Sequence, residues 1–387
     1  MWKWLAAALL LHAPAQAQPK WTLQYFYDQD GKDLRITDLA FPSADRGIAV
    51  GEIVDREGRK PQYTAVVTND GGAHWSLVPL KEFPRSIFFL DETAGWMVTS
   101  ESIWFTAEAG RSWTRISGQI KADHKLADAP DTGLLLRLWF LDAQHGYGVG
   151  LQKSVYETRD GGRTWKPVAE AAQPSANPAY SIYSRIAFAD ARRGLIVGGY
   201  VPKRAGGRAD DDVPDWVSPE RALARRERPV LTIEMDTRDG GATWKPSTAP
   251  VIGSLAALRL ADRQGLAVFA YADSFDWPSE VYRLDLATGT SSSVFKQKDR
   301  RVTDALIFAD GRAFLAAAEP PGKLRSAPVP GKVRMLTSTD LITWTEMATD
   351  YRAVAQSLVL AGPDSSHVWA ATDTGMILRL SGLALAN

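Results

Sequence analysis

Cysteine is absent from the 387 residues. That excludes disulfide staples, zinc–thiolate centres, a thiol nucleophile and the lipidated cysteine of a lipoprotein. Histidine is scarce, with 5 residues, so a metal centre has few imidazoles to draw on. Net charge is missing too. The 45 Lys and Arg balance 45 Asp and Glu, and no bulk field draws the chain to nucleic acid or to an anionic membrane. No apolar run reaches the ~20 residues of a spanning helix. There is no GxSxG, phosphate loop or cluster of metal ligands. What the chain has in quantity is tryptophan, at 14 residues, and a pattern that repeats.

The first residues read as a secretory signal. Lys3 supplies a weak positive region, Leu5 to Leu11 an apolar stretch, and Ala15–Ala17 a small-residue cleavage site. Residues 1–17 are therefore expected to be removed and the mature chain exported to the periplasm or beyond. The alternative is a buried N-terminal helix.

The octapeptide "TRDGGRTW" at Thr158–Trp165 recurs as "TRDGGATW" at Thr237–Trp244 and "TNDGGAHW" at Thr68–Trp75. Weaker copies are "TAEAGRSW" at 106–113, with Glu108 for the Asp, and "TSTDLITW" at 337–344, without the glycines. Each follows a β-rich run and precedes a shorter one, so each is expected to be a hairpin turn. Asp70, Asp160 and Asp239 can accept turn N–H groups. Gly72, Gly162 and Gly241 can take positive φ. Trp75, Trp113, Trp165, Trp244 and Trp344 open the next strand with a large apolar surface. This makes the octapeptide a structural turn rather than a catalytic trio.

A second signature precedes the octapeptides: a strand ending in Phe, an acidic turn, then Gly six residues after the Phe. The pairs are Phe41 and Gly47, Phe89 and Gly95, Phe140 and Gly146, Phe188 and Gly194. The unit is thus four strands, and seven units fall at about 36–80, 84–117, 134–170, 183–250, 255–295, 302–350 and 353–381. The seventh lacks its final Trp strand, while "KWTLQYFY" at 20–27 is such a strand without a unit. The expected fold is all-β: a single seven-bladed β-propeller over residues 18–387, its ring closed by Trp21–Tyr27 pairing near Met376–Leu380. The fourth unit carries an insertion at 201–228, in which a short Arg-rich helix from Pro219 is expected, as a partner contact or a solvated surface.

The pattern S/T-x-D-x-G-x-T-W resembles the Asp box of BNR-type propellers, over nearly all of the mature chain. Together with the Phe–Gly signature, it looks most similar to the photosystem II stability and assembly factor family. That resemblance implies an exported, non-enzymatic seven-bladed propeller that binds a membrane-protein partner through an arginine-rich patch. Sialidases and xyloglucanases also carry Asp boxes. The chain departs from the pattern in its fifth unit, which lacks the box, its sixth, which lacks the glycines, and the insertion in its fourth.

The one–two turns and the octapeptides are expected on one face, and the longer loops on the other. The longer loops include 54–62, 118–133, 171–181 and 320–331. Variable loops on a rigid scaffold favour binding there. Arg85, Arg137 and Arg185 are placed near first-strand starts under those loops. Asp38 occupies the equivalent place in unit one and Asp304 a place one residue off. Guanidinium forks suit carboxylates, so the three arginines form either an anion or acidic-peptide site or a lining paired with neighbouring acids. The expected partner is a protein, a cell-envelope protein among the candidates, or an acidic peptide, with no nucleic acid, no cofactor and no metal, bound by a monomer. The alternative is a carbohydrate-active hydrolase acting on a glycan, for which Asp38, Asp304 and Asp273 are the candidate carboxyls. "LRIT" at 34–37 only weakly echoes a sialidase arginine motif, and no Tyr–Glu nucleophile pair is evident.

Overall fold

The computed structural model describes residues 18–55, 57, 60–123, 125, 132–201, 230–271, 275–320 and 331–383. The expected signal segment, Asp273, the loop at 321–330 and all of the insertion after Val201 lie outside the described residues.

The chain is all-β apart from two short 3-10 turns among the described residues. Five antiparallel sheets have four strands each, in simple sequence order. The first sheet is Lys32–Ala40, Gly47–Asp55, Gln62–Thr68 and Ser76–Pro79. The next four follow at 84–118, 135–167, 181–252 and 254–295. The remaining strands form one nine-stranded sheet. Its first half runs Arg301–Ile307, Ala313–Ala318, Gly331–Ser338, Thr345–Thr349; its second half runs Leu358–Asp364, His367–Thr372, Met376–Ser381 and then Lys20–Phe26; the short ninth strand, Val354–Ala355, pairs with Gly331–Ser338 off this path. The two halves join because Lys20 and Trp21 also bridge in parallel to Ala348 and Thr349.

The N-terminal strand pairs antiparallel with Met376–Ser381, Trp21 opposite Leu380. Trp21 is fully buried, edge-on to Phe314 at 6.4 Å. First strands of successive sheets contact one another in cyclic order, and Leu358–Asp364 returns to Lys32–Ala40. The arrangement is propeller-like, with hydrophobic clusters filling the seams between neighbouring sheets.

The Phe–Gly signature has a steric cause. Each Phe faces the Gly across its hairpin, and the ring lies flat over it. A Cβ at Gly47 would stand 2.2 Å from the Phe41 ring, and one at Gly194 would stand 2.5 Å from the Phe188 ring. The freed space lets the seam aromatics stack: Phe41 on Trp369 and Phe140 on Trp96, each at 3.7 Å.

The octapeptides form the turns between third and fourth strands. Thr158 Oγ1 donates to Asp160 at 2.9 Å and accepts the Gly162 N–H at 2.9 Å. Asp160 in turn accepts the Thr164 N–H at 2.8 Å and its hydroxyl at 2.6 Å. Gly161 N–H reaches the Gln144 carbonyl at 2.9 Å, which ties the octapeptide to the one–two turn of its own sheet. Equivalent bonds recur around Asp70 and Asp239. Gly162 stands at φ 92° and Gly241 at 85°. In the glycine-free copy, Leu341 itself adopts φ 60° while Asp340 keeps two turn N–H groups, so the side-chain acceptor outlasts the glycines.

A channel cavity lined by three arginines and two aspartates

The first strands of six sheets break register once, always at the same place. The extra residue is Thr37, Arg85, Leu136, Ser184, Ala256 or Thr303. Such a bulge re-aims the residues around it. The residue that follows is Asp38, Ser86, Arg137, Arg185, Ala257 or Asp304. The four charged members of this set, joined by Arg259, line a central cavity of about 570 Å³.

Two of these arginines are paired. Arg137 Nη1 meets Asp38 Oδ2 at 2.5 Å, and Arg259 Nη2 meets Asp304 Oδ2 at 2.8 Å. Each buried aspartate also accepts two backbone N–H groups: Leu39 and Ile87 on Asp38, Ala305 and Leu360 on Asp304. Asp38 therefore ties the first sheet to the second and third. Asp304 ties the first half of the nine-stranded sheet to its second half and to the fifth sheet.

Arg185 differs. Its guanidinium donates to the carbonyls of Ser184 and Ala256, and it makes no ion pair with any described residue. Burial first, then repulsion from Arg137, pulls its pKa down to about 9. It is still charged at neutral pH; Asp304 and Asp38 stand close enough to favour the charged form, but their ion pairs go to the other two arginines.

Arg85 falls on the bulge and points away from the cavity, which the marker spacing of four residues rather than three foreshadows. It donates to the Gly133 and Leu135 carbonyls and to the Thr132 hydroxyl. Thr37 and Thr303 do the same work at their bulges, donating to Pro84 and Leu358. Arg85 is thus a clamp between the second and third sheets. The structure brings Arg137 and Arg185 together and sets Arg85 apart.

Three positional expectations are corrected. Arg185 does not stand near a first-strand start, being the fifth of eight residues in Ser181–Phe188, whereas Arg137 is the third of six in Leu135–Phe140. The cavity runs from Ser357 and Leu358, where their strand begins, to Phe41, Pro42 and Gly362 toward the octapeptide turns, so it spans the channel rather than lying only at the mouth under the long loops. Asp304 is in register with Asp38, not one residue off it, because Ile307 and Ala313 take the place of the Phe–Gly pair. Sequence reading missed Arg259. Strand alternation could have found it, since it lies two residues beyond the bulge-following Ala257 and so on the same face.

A Tyr–Glu contact does exist, Tyr147 to Glu157 at 3.3 Å, but in the seam between the third and fourth sheets. Burial pushes the Tyr147 hydroxyl far above the usual phenol range, the reverse of an activated nucleophile. Among the described residues no group of three His, Asp or Glu is placed to hold a metal ion, and no helix is long and apolar enough to cross a membrane.

The fold is that of a β-propeller, although no family model matches the chain. It resembles Ycf48, the photosystem II assembly factor. The structure of Ycf48 from Cyanidioschyzon merolae superposes with a TM-score of 0.54 at 16% identity, over 93% of this chain and 98% of that one. YCF48 bound to D1 peptide gives 0.52 at 15% identity, over 92% and 98%. The β-propeller domain of the Trilobed protease from Pyrococcus furiosus gives 0.53 at 12% identity, over 90% and 95%. At such identities the likeness is one of fold. In sequence, 38 residues are 47% identical to photosystem II assembly protein Ycf48 of Thermosynechococcus vestitus, covering 10% of this chain and 11% of that protein.

Proposed function

We propose that the chain is a non-enzymatic binding propeller that takes an acidic segment of a protein partner into its arginine-lined channel. The observation that carries this reading is Arg185, a partly buried guanidinium that bonds only backbone carbonyls among the described residues, while Asp38 and Asp304 are taken by Arg137 and Arg259. A partner carboxylate would supply the direct ion pair that Arg185 lacks, in bidentate geometry. A Ycf48 structure contains a D1 peptide, which supports the idea that this architecture takes peptides. In this reading the sheets are seven blades, the octapeptides are Asp boxes of the BNR type, and Arg85 holds the wall against which Arg137 and Arg185 stand. The protein would act as an exported monomer on a cell-envelope partner, with residues 1–17 as its signal.

The carbohydrate-active alternative has less behind it. Both oxygens of Asp38 and of Asp304 are engaged by backbone N–H groups and a guanidinium, so neither carboxyl is free to approach a glycosidic oxygen.

Affinity capture from a cell-envelope extract tests the proposal, with the parent compared against Arg185→Glu. The parent should retain a partner that elutes with salt, and the variant should lose it while melting as the parent does. A partner held equally by both would remove the channel from the reading.

A further inference from the structure

Six fourth strands open with a tryptophan that fills the seam to a neighbouring sheet: Trp21, Trp75, Trp113, Trp165, Trp244 and Trp344. Trp244, for example, lies edge-on to Tyr147 of the third sheet at 5.4 Å, and Trp344 to Phe295 of the fifth at 6.4 Å. The register identifies the corresponding residue of the fifth sheet. In the fourth sheet Gly194 pairs with Thr237, and Asp236 with Lys245, which sets Trp244 opposite Thr237. In the fifth sheet Gly265 pairs with Leu284, and Leu284 with Ser291. Ser291 stands where the tryptophan belongs.

The seam it leaves open, between the fourth and fifth sheets, holds a cleft of about 460 Å³. Val197, Leu258, Phe269, Tyr282 and Leu284 give it an apolar side, and Glu234, Lys245, Ser247 and Ser291 stand on its polar side, where Glu234 accepts the Ser247 hydroxyl. Arg238 and Leu286 belong both to this cleft and to a second hollow of about 410 Å³ at the octapeptide face. That hollow is lined by Arg192, Arg193 and Arg238 against the single acid Asp190. The Asp190 carboxylate is turned to its own turn, accepting the N–H groups of Arg192 and Arg193. Asp285, close by in the cleft, likewise accepts Ala287 and Thr288 N–H groups, and Asp236 faces Arg238 at 3.5 Å. The guanidiniums of Arg192 and Arg193 make no ion pair with any described residue.

We infer that this cleft is a second docking site, separate from the channel, for a protein segment that inserts one aromatic side chain and presents carboxylates beside it. The aromatic ring takes the place that an indole holds in the other seams. The flanking carboxylates meet Arg192 and Arg193. An apolar inner side opening on a hollow with three guanidiniums to one carboxylate fits an amphipathic anion better than a neutral or basic peptide.

The probe is N-acetyl-(5-fluorotryptophyl)-Glu-Glu-amide, followed by its fluorine resonance as full-length mature protein is added. The parent should shift and broaden the resonance saturably below about 1 mM protein. Ser291→Trp, which rebuilds the plug, should weaken binding by at least about tenfold, the scale of one lost aromatic anchor. The pair Arg192→Glu with Arg193→Glu, the first exposed and the second half-buried, leaves the seam untouched and should weaken it by a similar factor, about tenfold for the lost charge-assisted contacts. It provides the test if Ser291→Trp does not fold. Arg185→Glu should bind the probe as the parent does, which separates this site from the channel. The inference is overturned if the parent shows no saturable binding, if Arg192→Glu with Arg193→Glu binds equally well, if a folded Ser291→Trp variant does, if Ala-Glu-Glu competes as well as the tryptophan probe, or if Arg185→Glu loses it.

Discussion

Arg137 Nη1 and Asp38 Oδ2 lie 2.5 Å apart although 99 residues separate them in the chain. Asp38 is buried and Arg137 mostly so, and the same carboxylate holds the Ile87 N–H of the sheet between them. Truncating the acid strands two backbone donors and a guanidinium at once. Asp38→Ala should cost about 2–3 kcal/mol, less than the full loss for a wholly buried pair because Arg137 keeps some water. Arg137→Ala should cost less, since the carboxylate keeps its two N–H partners. A double-mutant cycle in urea measures the coupling, and additive effects would mean that the pair contributes nothing of its own.

Thr158→Val tests the octapeptide as a turn. The two side chains have nearly the same shape, and Thr158 is buried, so the change removes one hydroxyl and leaves the buried Gly162 N–H unmatched. Stability should fall by about 1–3 kcal/mol, with partner binding per folded molecule unchanged. Loss of binding at unchanged melting temperature would return a functional role to the octapeptide.

The turn aspartates predict an acid limb in the stability curve. Asp70, Asp160 and Asp239 each have a pKa lowered to about 2: by the His74 N–H first for Asp70, and by the Thr164 and Thr243 hydroxyls first for Asp160 and Asp239. The unfolded carboxyl titrates near ~4. A lowered folded value means that the stabilisation is complete above ~4 and is lost as pH falls toward about 2. Melting temperature should therefore be insensitive to these groups at neutral pH and drop between those limits. A triple Asp→Asn variant should show a shallower drop over that window. An identical slope in parent and variant would show that other groups drive acid unfolding.

Removal of residues 18–27 takes away the closing strand and the indole of Trp21, which is buried against Phe314. The buried indole alone accounts for about 3–5 kcal/mol, and Met376–Ser381 is left as an unpaired edge. The truncated protein should melt well below the parent at the same scan rate and self-associate, as light scattering would record. Parent-like melting would show that the ring does not depend on this closure.

The tandem signatures alone carried the architecture: a period of four strands, the Phe–Gly spacing and the orphan Trp21 strand are local patterns, and hairpin geometry turns local patterns into sheets. The side-chain bonding of the octapeptide turn was legible for the same reason, since the bonds of its Thr and Asp run between residues at most four apart. The site was not legible in this way. Arg85, Arg137 and Arg185 look alike in a list of first strands, yet a one-residue bulge sends Arg85 into a neighbouring sheet and the other two into the channel. Arg259 joins them from a strand whose markers are eroded, and its partner Asp304 is 45 residues away. Which guanidinium is left without an ion pair, and that the fifth unit's missing tryptophan leaves a cleft in its seam, depend on distances between sheets. The physical reason is that backbone hydrogen bonding is set by neighbours along the chain, whereas ion pairing and the filling of a seam are set by whatever the closed ring brings across from another sheet.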